Sequence, residues 1–323
     1  MSLVPPSDTA GARTTSATIV LHVLIFLAAV LVLVTVLRSG WRGDVVGLAM
    51  PVVLASSFLV AATLVFVRPS WCIVPVAVVL VSAFVIVAPR WPARTAAPVD
   101  PLRLAAVNLQ FDSGEAAAGV RDAVAVGADV LVVSELTPVT DEMLRVAYPY
   151  RVVSADLLHS RFGEGVYATV PLTALATPPG ITDQLLRVAV GAVTPFVVYA
   201  VHLPRPTFDE PAPAAMISFD GQRAAAFALD RAVDAEQGPV VISGDLNLSD
   251  RTSGYRKLAA GRVDATRTGW AGSTYKGSLV WRLLLLRIDH IFLPADWCSR
   301  DGSTFQLSGS DHDGVAATIG RCP

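Results

Sequence analysis

Charge is what this sequence has least of. Only 16% of its 323 residues are Asp, Glu, Lys or Arg, against about 25% in an ordinary soluble domain. Hydrophobic residues make up 53%, and the mean hydropathy is +0.55. That balance excludes a disordered chain and does not fit an ordinary soluble protein. Cysteine is scarce too, with Cys72, Cys298 and Cys322 the only three. No internal repeat or low-complexity tract is evident, which excludes a solenoid. The shortage of charge is also uneven. Residues 17–88 are nearly continuously apolar, and the sequence beyond residue 100 alternates as a globular domain does. A wholly embedded transporter is excluded by that contrast.

Three runs in the first part have membrane-span character. Ala17–Leu37, Val45–Val67 and Trp71–Ala88 carry no formal charge, and a span needs roughly 20 apolar residues, with about 17 as the lower limit. Arg38, Trp41, Arg42, Arg68, Trp71, Arg90 and Trp91 flank them as cationic and aromatic anchors. The expected organisation is a tail over 1–16, a three-helix transmembrane anchor over 17–89, a Pro- and Ala-rich linker over 90–100, and a catalytic domain over 101–323. His22 lies in the first run with no acidic neighbour in any span and reads as a packing residue. Orientation has two opposed signals. The arginine distribution favours a cytoplasmic domain. Cys298 and Cys322 follow two strand ends, and antiparallel neighbours in one sheet would bring them together. A disulfide there would mean an oxidising, extracytoplasmic location.

Beyond residue 100, short β-rich runs alternate with helical stretches. The strands are expected near 102–108, 130–134, 165–170, 186–190, 196–202, 240–244, 288–293 and 314–319, and the helices near 115–126, 139–147 and 220–235. Mixed elements over about 220 residues suggest one α/β domain with its sheets covered by helices. From residue 101 onward there are 19 Lys+Arg and 24 Asp+Glu, a net −5. Nucleic-acid backbones are normally gripped by a basic surface, so this balance disfavours a nucleic acid as partner.

The informative pattern is where polar residues end apolar strands. Asn108 closes one strand, Glu135 closes VLVVSE, and His202 closes FVVYAVH. VVISGDLN ends in Asp245 and Asn247. RIDHIFLP holds Asp289, and Ser310–His312 (SDH) precedes the last strand. A carboxylate and an amide oxygen together at a strand end suit a hard cation or a phosphate. Buried charges are costly unless paired or metal-bound, so six such interruptions point to one polar site. His290 alternates with Asp289, should face the other side of its strand, and reads as structural.

The order N…E…H…GDxN…IDHIF…SDH resembles the endonuclease/exonuclease/phosphatase superfamily, which includes DNase I-like nucleases, neutral sphingomyelinases and inositol-phosphate phosphatases. The resemblance covers residues 101–320. In GEGVYATVP, Thr169–Val170 replaces the family's usual Ser-Arg, which puts any role of that arginine in doubt. The resemblance implies a four-layered α/β sandwich and a Mg²⁺-dependent hydrolase, with Mn²⁺ as a substitute. It implies Glu135 as principal metal ligand beside Asn108, with Asp311 assisting. Asp245 and Asn247 would hold phosphate and the attacking water, Asp289 would position His312, and His202 would donate to a phosphate oxygen. Arg205, Lys276, Arg282 and Arg287 are candidate phosphate or headgroup contacts. Three spans before such a domain resemble bacterial membrane proteins of the VanJ type, associated with teicoplanin resistance. That resemblance implies a multi-pass protein of the bacterial cell membrane with its catalytic domain outside. The implied reaction takes undecaprenyl diphosphate to the monophosphate, with the bilayer and its lipid phosphates as partners. A sphingomyelinase- or phospholipase C-like phosphodiesterase, a tethered nuclease and an inactive binding module are the alternatives. Ser278–Leu286 (SLVWRLLLL) is unusually apolar, either as a buried element or as a surface meeting lipid.

Overall fold

The computed structural model describes residues 41–67, 73–88, 96–155, 157, 163–208, 217–268 and 272–323. The chain divides into two compact units, Met1–Ile86 and Val87–Pro323.

In the first unit, α1 (Trp41–Val67) runs for 27 residues. Its Gly43–Thr63 stretch is long and apolar enough to cross a membrane. Such a helix must satisfy its own hydroxyls. Ser56 Oγ donates to the Val52 carbonyl at 2.8 Å, and Thr63 Oγ1 donates to the Leu59 carbonyl at 2.9 Å. The helix α2 (Ile73–Val87) has 15 residues, fewer than the roughly 20 a span needs. Among the described residues one helix therefore passes the length test, where the sequence suggests three. The first apolar run with His22, the flanking Arg38, Cys72, residue 89 and residues 90–95 of the linker lie outside the described residues.

The second unit is built on two six-stranded mixed sheets. In chain order its elements are β1 (Val99–Asn108), α3 (Ala116–Ala125), β2 (Val130–Leu136), α4 (Pro138–Ala147), β3 (Tyr150–Val153), β4 (Gly163–Ala168), β5 (Leu172–Leu175), β6 (Leu185–Val190) and β7 (Phe196–Val201). A short ribbon of β8 (Thr207–Phe208) and β9 (Ile217–Ser218) follows. Then come α5 (Asp220–Asp234), β10 (Val240–Asp245), α6 (Ser253–Ala259), β11 (Arg262–Asp264), α7 (Leu279–Leu283), β12 (Asp289–Pro294), β13 (Trp297–Gln306) and β14 (Asp313–Arg321). One sheet has the order β13-β14-β1-β2-β4-β3, and the other β11-β12-β10-β7-β6-β5.

Period-two burial explains the layering. Leu104, Ala106, Val130, Val132, Val166 and Val315 face inward from one sheet and meet Val188, Val198, Ala200, Val241 and Ile291 from the other. The alternate residues Ala105, Val107, Leu131 and Val133 pack outward with Leu144 of α4 and Val120 of α3. On the other side, Tyr199, Val201 and Ile242 pack with α5 and α6. The buried positions of α5 are Gln222, Ala225, Ala226, Leu229, Asp230 and Val233, a stripe at the helical repeat. Helix α4 starts where Thr137 Oγ1 accepts from Thr140 N at 3.2 Å, with Pro138 at its first position. The result is an α/β sandwich with helices over both outer faces.

Strand β13 is the main element without a sequence signal. Its residues WCSRDGSTFQ are largely polar because it is an edge strand. It pairs antiparallel with β14, placing Cys298 opposite Gly320. Cys298 and Cys322 form a disulfide with their Cα atoms 4.9 Å apart, and the antiparallel neighbours that bring them together are β13 and β14, not the strands near 288–293 and 314–319, which lie in different sheets.

A charge cluster lies buried in the outer layer beside α6. Arg287 has no exposed surface. It donates to Asp264 Oδ2 at 2.7 Å, Thr266 Oγ1 at 2.9 Å, Tyr255 Oη at 3.1 Å and Asp250 Oδ2 at 3.4 Å. This corrects the expectation that Arg287 contacts substrate: its guanidinium is enclosed and committed to protein partners. Burial alone would raise the Asp264 carboxyl, but Arg287 and His290 hold it well below the usual carboxylate range. A depressed carboxyl contributes stability that is complete above its unfolded pKa and is lost as pH falls through its folded one. Removing it strands a buried guanidinium. Asp264→Ala should therefore destabilise the domain by about 3–5 kcal/mol in chemical denaturation followed by tryptophan fluorescence, and should flatten the acid limb of stability against pH.

Candidate active site

Strand direction gathers the polar residues at one end of the sandwich. β1 and β2 are parallel, as are β7 and β10, so Asn108, Glu135, His202 and Asp245 all arrive at carboxyl ends. β12 and β14 run antiparallel to their neighbours β10 and β1, so Asp289 and His312 arrive at strand beginnings on the same side. Asp245 and Asp289 are direct register partners.

Local backbone then aims the side chains. The β2–β4 register shifts between Val133 and Leu136, and within that bulge Glu135 has φ +57°. Asn247 has φ +51°. A left-handed non-glycine residue costs about 1–3 kcal/mol and persists where its surroundings hold it. At Glu135 the Phe111 N–H donates to Oε2 at 3.1 Å. At Asn247 the backbone N–H donates to Asp245 Oδ1 at 2.9 Å, and Nδ2 donates to the Leu203 carbonyl at 2.9 Å. Gly244, at φ +135°, would place a Cβ 2.3 Å from the Val201 carbonyl oxygen. Only glycine lets β10 approach β7 so closely, and that approach sets the spacing between Asp245 and His202.

Asn108 bridges the two sheets. Its Nδ2 donates to Glu135 Oε1 and to Asp245 Oδ2, each at 3.0 Å, and its Oδ1 accepts from Gln110 N at 3.0 Å. From Asp245 an alternating acid–imidazole series runs both ways. His312 Nε2 lies 3.6 Å from Asp245 Oδ2, and His312 Nδ1 lies 2.9 Å from Asp289 Oδ2. His202 Nε2 lies 3.5 Å from Asp245 Oδ2, and its Nδ1 lies 3.6 Å from Glu164 Oε1. Burial disfavours charge on His312, but Asp289 and Asp245 overcome it and raise its pKa to about 10. Burial likewise opposes charge on His202, and Glu164 with Asp245 raise it to about 9. Burial pushes Glu164 up to about 7 against the opposing pull of His202.

Glu164 was not among the sequence-derived candidates. Its signal was the same as that of Glu135, a carboxylate inside an otherwise buried strand. Three positioning residues were missed as well. Thr274 Oγ1 accepts from the N–H groups of Ile288 and Asp289 at 2.9 and 3.2 Å. Ser310 Oγ donates to the Asn108 carbonyl at 2.7 Å and accepts from His312 N at 2.9 Å. Gln110 Oε1 accepts from Asp311 N at 2.8 Å. No chemistry marks Thr, Ser or Gln at such places in a sequence.

The remaining candidates lie at the rim or away from it. Asp311 sits beside the site, with Oδ1 3.9 Å from His312 Nε2. Arg205 is exposed and close enough to act electrostatically on Tyr275, whose ring meets that of His312 edge-on at 5.2 Å. Lys276 Nζ is 2.8 Å from Asp313 Oδ1 and donates to the Leu307 carbonyl at 3.2 Å. Arg282 Nε donates to the carbonyls of Lys276 and Gly277 at 2.7 and 3.1 Å. His290 faces outward, as its alternation implies: Nε2 lies 2.8 Å from the Leu248 carbonyl and the ring stacks on Phe292.

The donor set fits a divalent cation. Glu135, Asp245, Asp289 and Asp311 outnumber the two imidazoles they face, with Glu164 raised to about 7 behind His202, and a surplus of carboxylates would repel a phosphate. Asp289 Oδ1 is buried with no hydrogen-bond partner among the described residues. Atoms of Asp245, Asp289 and His312 lie all within 4.8 Å of one another, and of these the carboxylate oxygens suit a cation while the charged imidazole serves as an N–H donor. Glu135, with Asp311 acting on the same space, offers further hard oxygen donors, and Asn108 would join them by turning its amide over, because Nδ2 faces Glu135 here. When bound, the cation would supply charge neutralisation for the phosphate and its leaving group. The chain's own part is separable from that. Asp289 fixes the tautomer and tilt of His312. Two charged imidazoles present N–H donors toward the space beside Asp245. Asp245 stands between them as the carboxylate able to orient a water.

An α/β sandwich whose strand ends gather carboxylates, two imidazoles and an amide around a hard-cation set defines a metal-dependent phosphoesterase type of site. The chain belongs to the endonuclease/exonuclease/phosphatase family, whose profile matches residues 105–312. Members of that family are divalent-metal-dependent hydrolases of phosphoester bonds. No curated protein sequence matches the chain. The fold is similar to that of humanized D. rerio TDP2, at 18% identity and a TM-score of 0.51 over 68% of this chain and 99% of that one. It is similar to an endonuclease/exonuclease/phosphatase from Beutenbergia cavernae, at 22% identity and a TM-score of 0.51 over 69% of this chain and 72% of that one. It is also similar to the human Nocturnin catalytic domain, at 13% identity and a TM-score of 0.50 over 70% and 96%.

The Glu164–His202 contact has a direct test. Glu164→Gln removes the carboxylate that most favours the imidazolium, so in metal-free protein His202 should titrate clearly below about 9. Histidine NMR in the presence of EDTA reads the change, and an unmoved His202 titration would show that the contact is electrostatically idle.

Proposed function

We propose that this chain is a membrane-anchored, Mg²⁺-dependent phosphoesterase acting on a lipid-linked phosphate. The substrate we assign is undecaprenyl diphosphate, hydrolysed to the monophosphate on the outer side of a bacterial cytoplasmic membrane. One observation carries the reading: a phosphoesterase-type site and a helix long and apolar enough to cross a membrane belong to the same chain. Anchoring raises the effective concentration of a lipid phosphate at the site. The Cys298–Cys322 disulfide supports an oxidising, extracytoplasmic setting. The acidic balance beyond residue 100 weighs against a polynucleotide substrate. The three-span organisation and the VanJ-type resemblance belong to the same proposal, with Glu135, Asn108 and Asp311 as the cation set.

In the reaction so assigned, water attacks the terminal phosphorus of the diphosphate, the bond from that phosphorus to the bridging oxygen breaks, undecaprenyl monophosphate leaves with that oxygen, and the phosphoryl group that took up the water is released as inorganic phosphate. Asp245 and Asn247 orient the water and the phosphate, His312 is held by Asp289, and His202 donates to a phosphate oxygen.

Purified full-length protein with Mg²⁺ should release inorganic phosphate from undecaprenyl diphosphate, and EDTA should stop it. Phosphocholine release from sphingomyelin without phosphate release, or Mg²⁺-dependent DNA cleavage alone, would replace this reading. Asp289→Asn and His312→Ala should each lower turnover by about two orders of magnitude or more, measured as kcat by phosphate release. A near-wild-type rate would remove that residue from the machinery.

A further inference from the structure

Between Tyr275 and Asp289 the chain leaves the site and returns to it. Tyr275 forms an isolated bridge with His312, and Asp289 pairs with Asp245. The intervening excursion carries the short helix α7 and the run Leu283–Leu286, with no acidic residue from Gly277 to Ile288. Three of its five leucines face solvent, while Leu284 is half-buried and Leu286 is buried. Leu279 is 74% exposed, Leu283 58% and Leu285 39%. Single exposed leucines are ordinary, but three within seven residues beside a polar site are not.

The backbone holds them there. Leu285 adopts φ +50°. Arg251, itself without exposed side-chain surface, donates to the Leu284 carbonyl at 2.6 Å. The N–H groups of Thr274 and Tyr275 both donate to the Leu286 carbonyl, at 2.9 and 3.1 Å. Arg282 closes the turn onto the Lys276 and Gly277 carbonyls. A loop tied at this many points cannot collapse its leucines inward. The buried charge cluster is what fixes it, because Arg251 and Arg287 share Asp250.

We propose that the Leu279–Leu285 turn is an interfacial wedge that seats in the boundary between headgroups and acyl chains of a lipid bilayer. The inference deepens the lipid-phosphate reading and rests on it for its catalytic consequence. The chemistry of the turn selects a bilayer as occupant. It presents leucines without acidic neighbours, a partly exposed Trp281 and an exposed Arg282, the combination that anchors amphipathic elements at headgroup level. The same chain carries a helix long enough to span that bilayer. A wedge at this place would present the His312–Asp289 side of the site to a phosphate at the membrane surface.

The test uses the full chain in liposomes of phosphatidylethanolamine and phosphatidylglycerol. Leu283→Cys, made in a Cys72→Ser background, is labelled with the environment-sensitive dye NBD. Val193→Cys, in the turn between β6 and β7 and 83% exposed, serves as control. The Leu283 label should emit blue-shifted and be quenched by doxyl-labelled lipid, and the Val193 label should do neither. Water-like emission at Leu283 would overturn the proposal. A shielded label that doxyl lipid fails to quench would assign the turn to a protein contact and overturn it equally. In a second arm, Leu279→Ser/Leu283→Ser should lower the rate on vesicle-embedded undecaprenyl diphosphate relative to water-soluble bis(p-nitrophenyl) phosphate by roughly tenfold. An unchanged ratio would count against the wedge. A lipid-buried label without phosphate release would leave the wedge standing and remove the substrate reading. Phosphate release with a water-exposed label would do the reverse.

Discussion

Glu135 and Asp245 are like-charged groups that arrive on different sheets, and a single amide stands between them. Asn108 Nδ2 donates to both, while its backbone continues the central strand of one sheet. Without a donor there, two carboxylates in a poorly solvated cleft would repel, and the strand ends would separate. With it, the gap between the sheets has a defined width at the one end where chemistry is concentrated. Every other contact of the site refers back to this bridge. Asp245 is the shared neighbour of His202 and His312, and those imidazoles carry the signal outward to Glu164 and Asp289.

The sequence shows much of this because buried polar residues are conspicuous among valines and leucines. Asn108, Glu135, His202, Asp245 and Asp289 each interrupt an apolar strand, and the structure gathers them at one end of the sandwich. The alternation that separates Asp289 from His290 is equally legible. Arg287 was not. In sequence it is one more cation near a catalytic motif, and only tertiary packing reveals that Asp264 and Asp250 enclose it. Thr274, Ser310 and Gln110 were silent for a different reason: their work is to exchange one or two hydrogen bonds with backbone groups, which any polar residue advertises equally. Strand β13 escaped because an edge strand needs no apolar period. Tertiary pairing with β14 makes it a strand.

The excess of apolar residues has separate origins. Part belongs to α1, a helix whose own hydroxyls fold back on its carbonyls. Part lies in the Leu279–Leu285 turn, where leucines are exposed on a backbone that hydrogen bonds hold rigid. Many of the charged residues are drawn into compact groups, chief among them the site and the Asp250–Arg251–Asp264–Arg287 group, with smaller networks at Asp230–Lys257–Arg262 and Arg187–Glu236. Low charge in this sequence is thus a matter of concentration as well as number.

Strand β12 belongs to both clusters at once. Asp289 points to the site and His290, one residue on, lies 3.8 Å from Asp264 in the outer layer. A lesion in that outer layer, at Tyr255 or Thr266, would tilt the same strand that aims Asp289 at His312. In a genetic screen such substitutions would masquerade as catalytic mutants although they lie on the far face of the sheet. The two clusters would then be inherited as a unit, and neither could drift freely while the other stayed fixed.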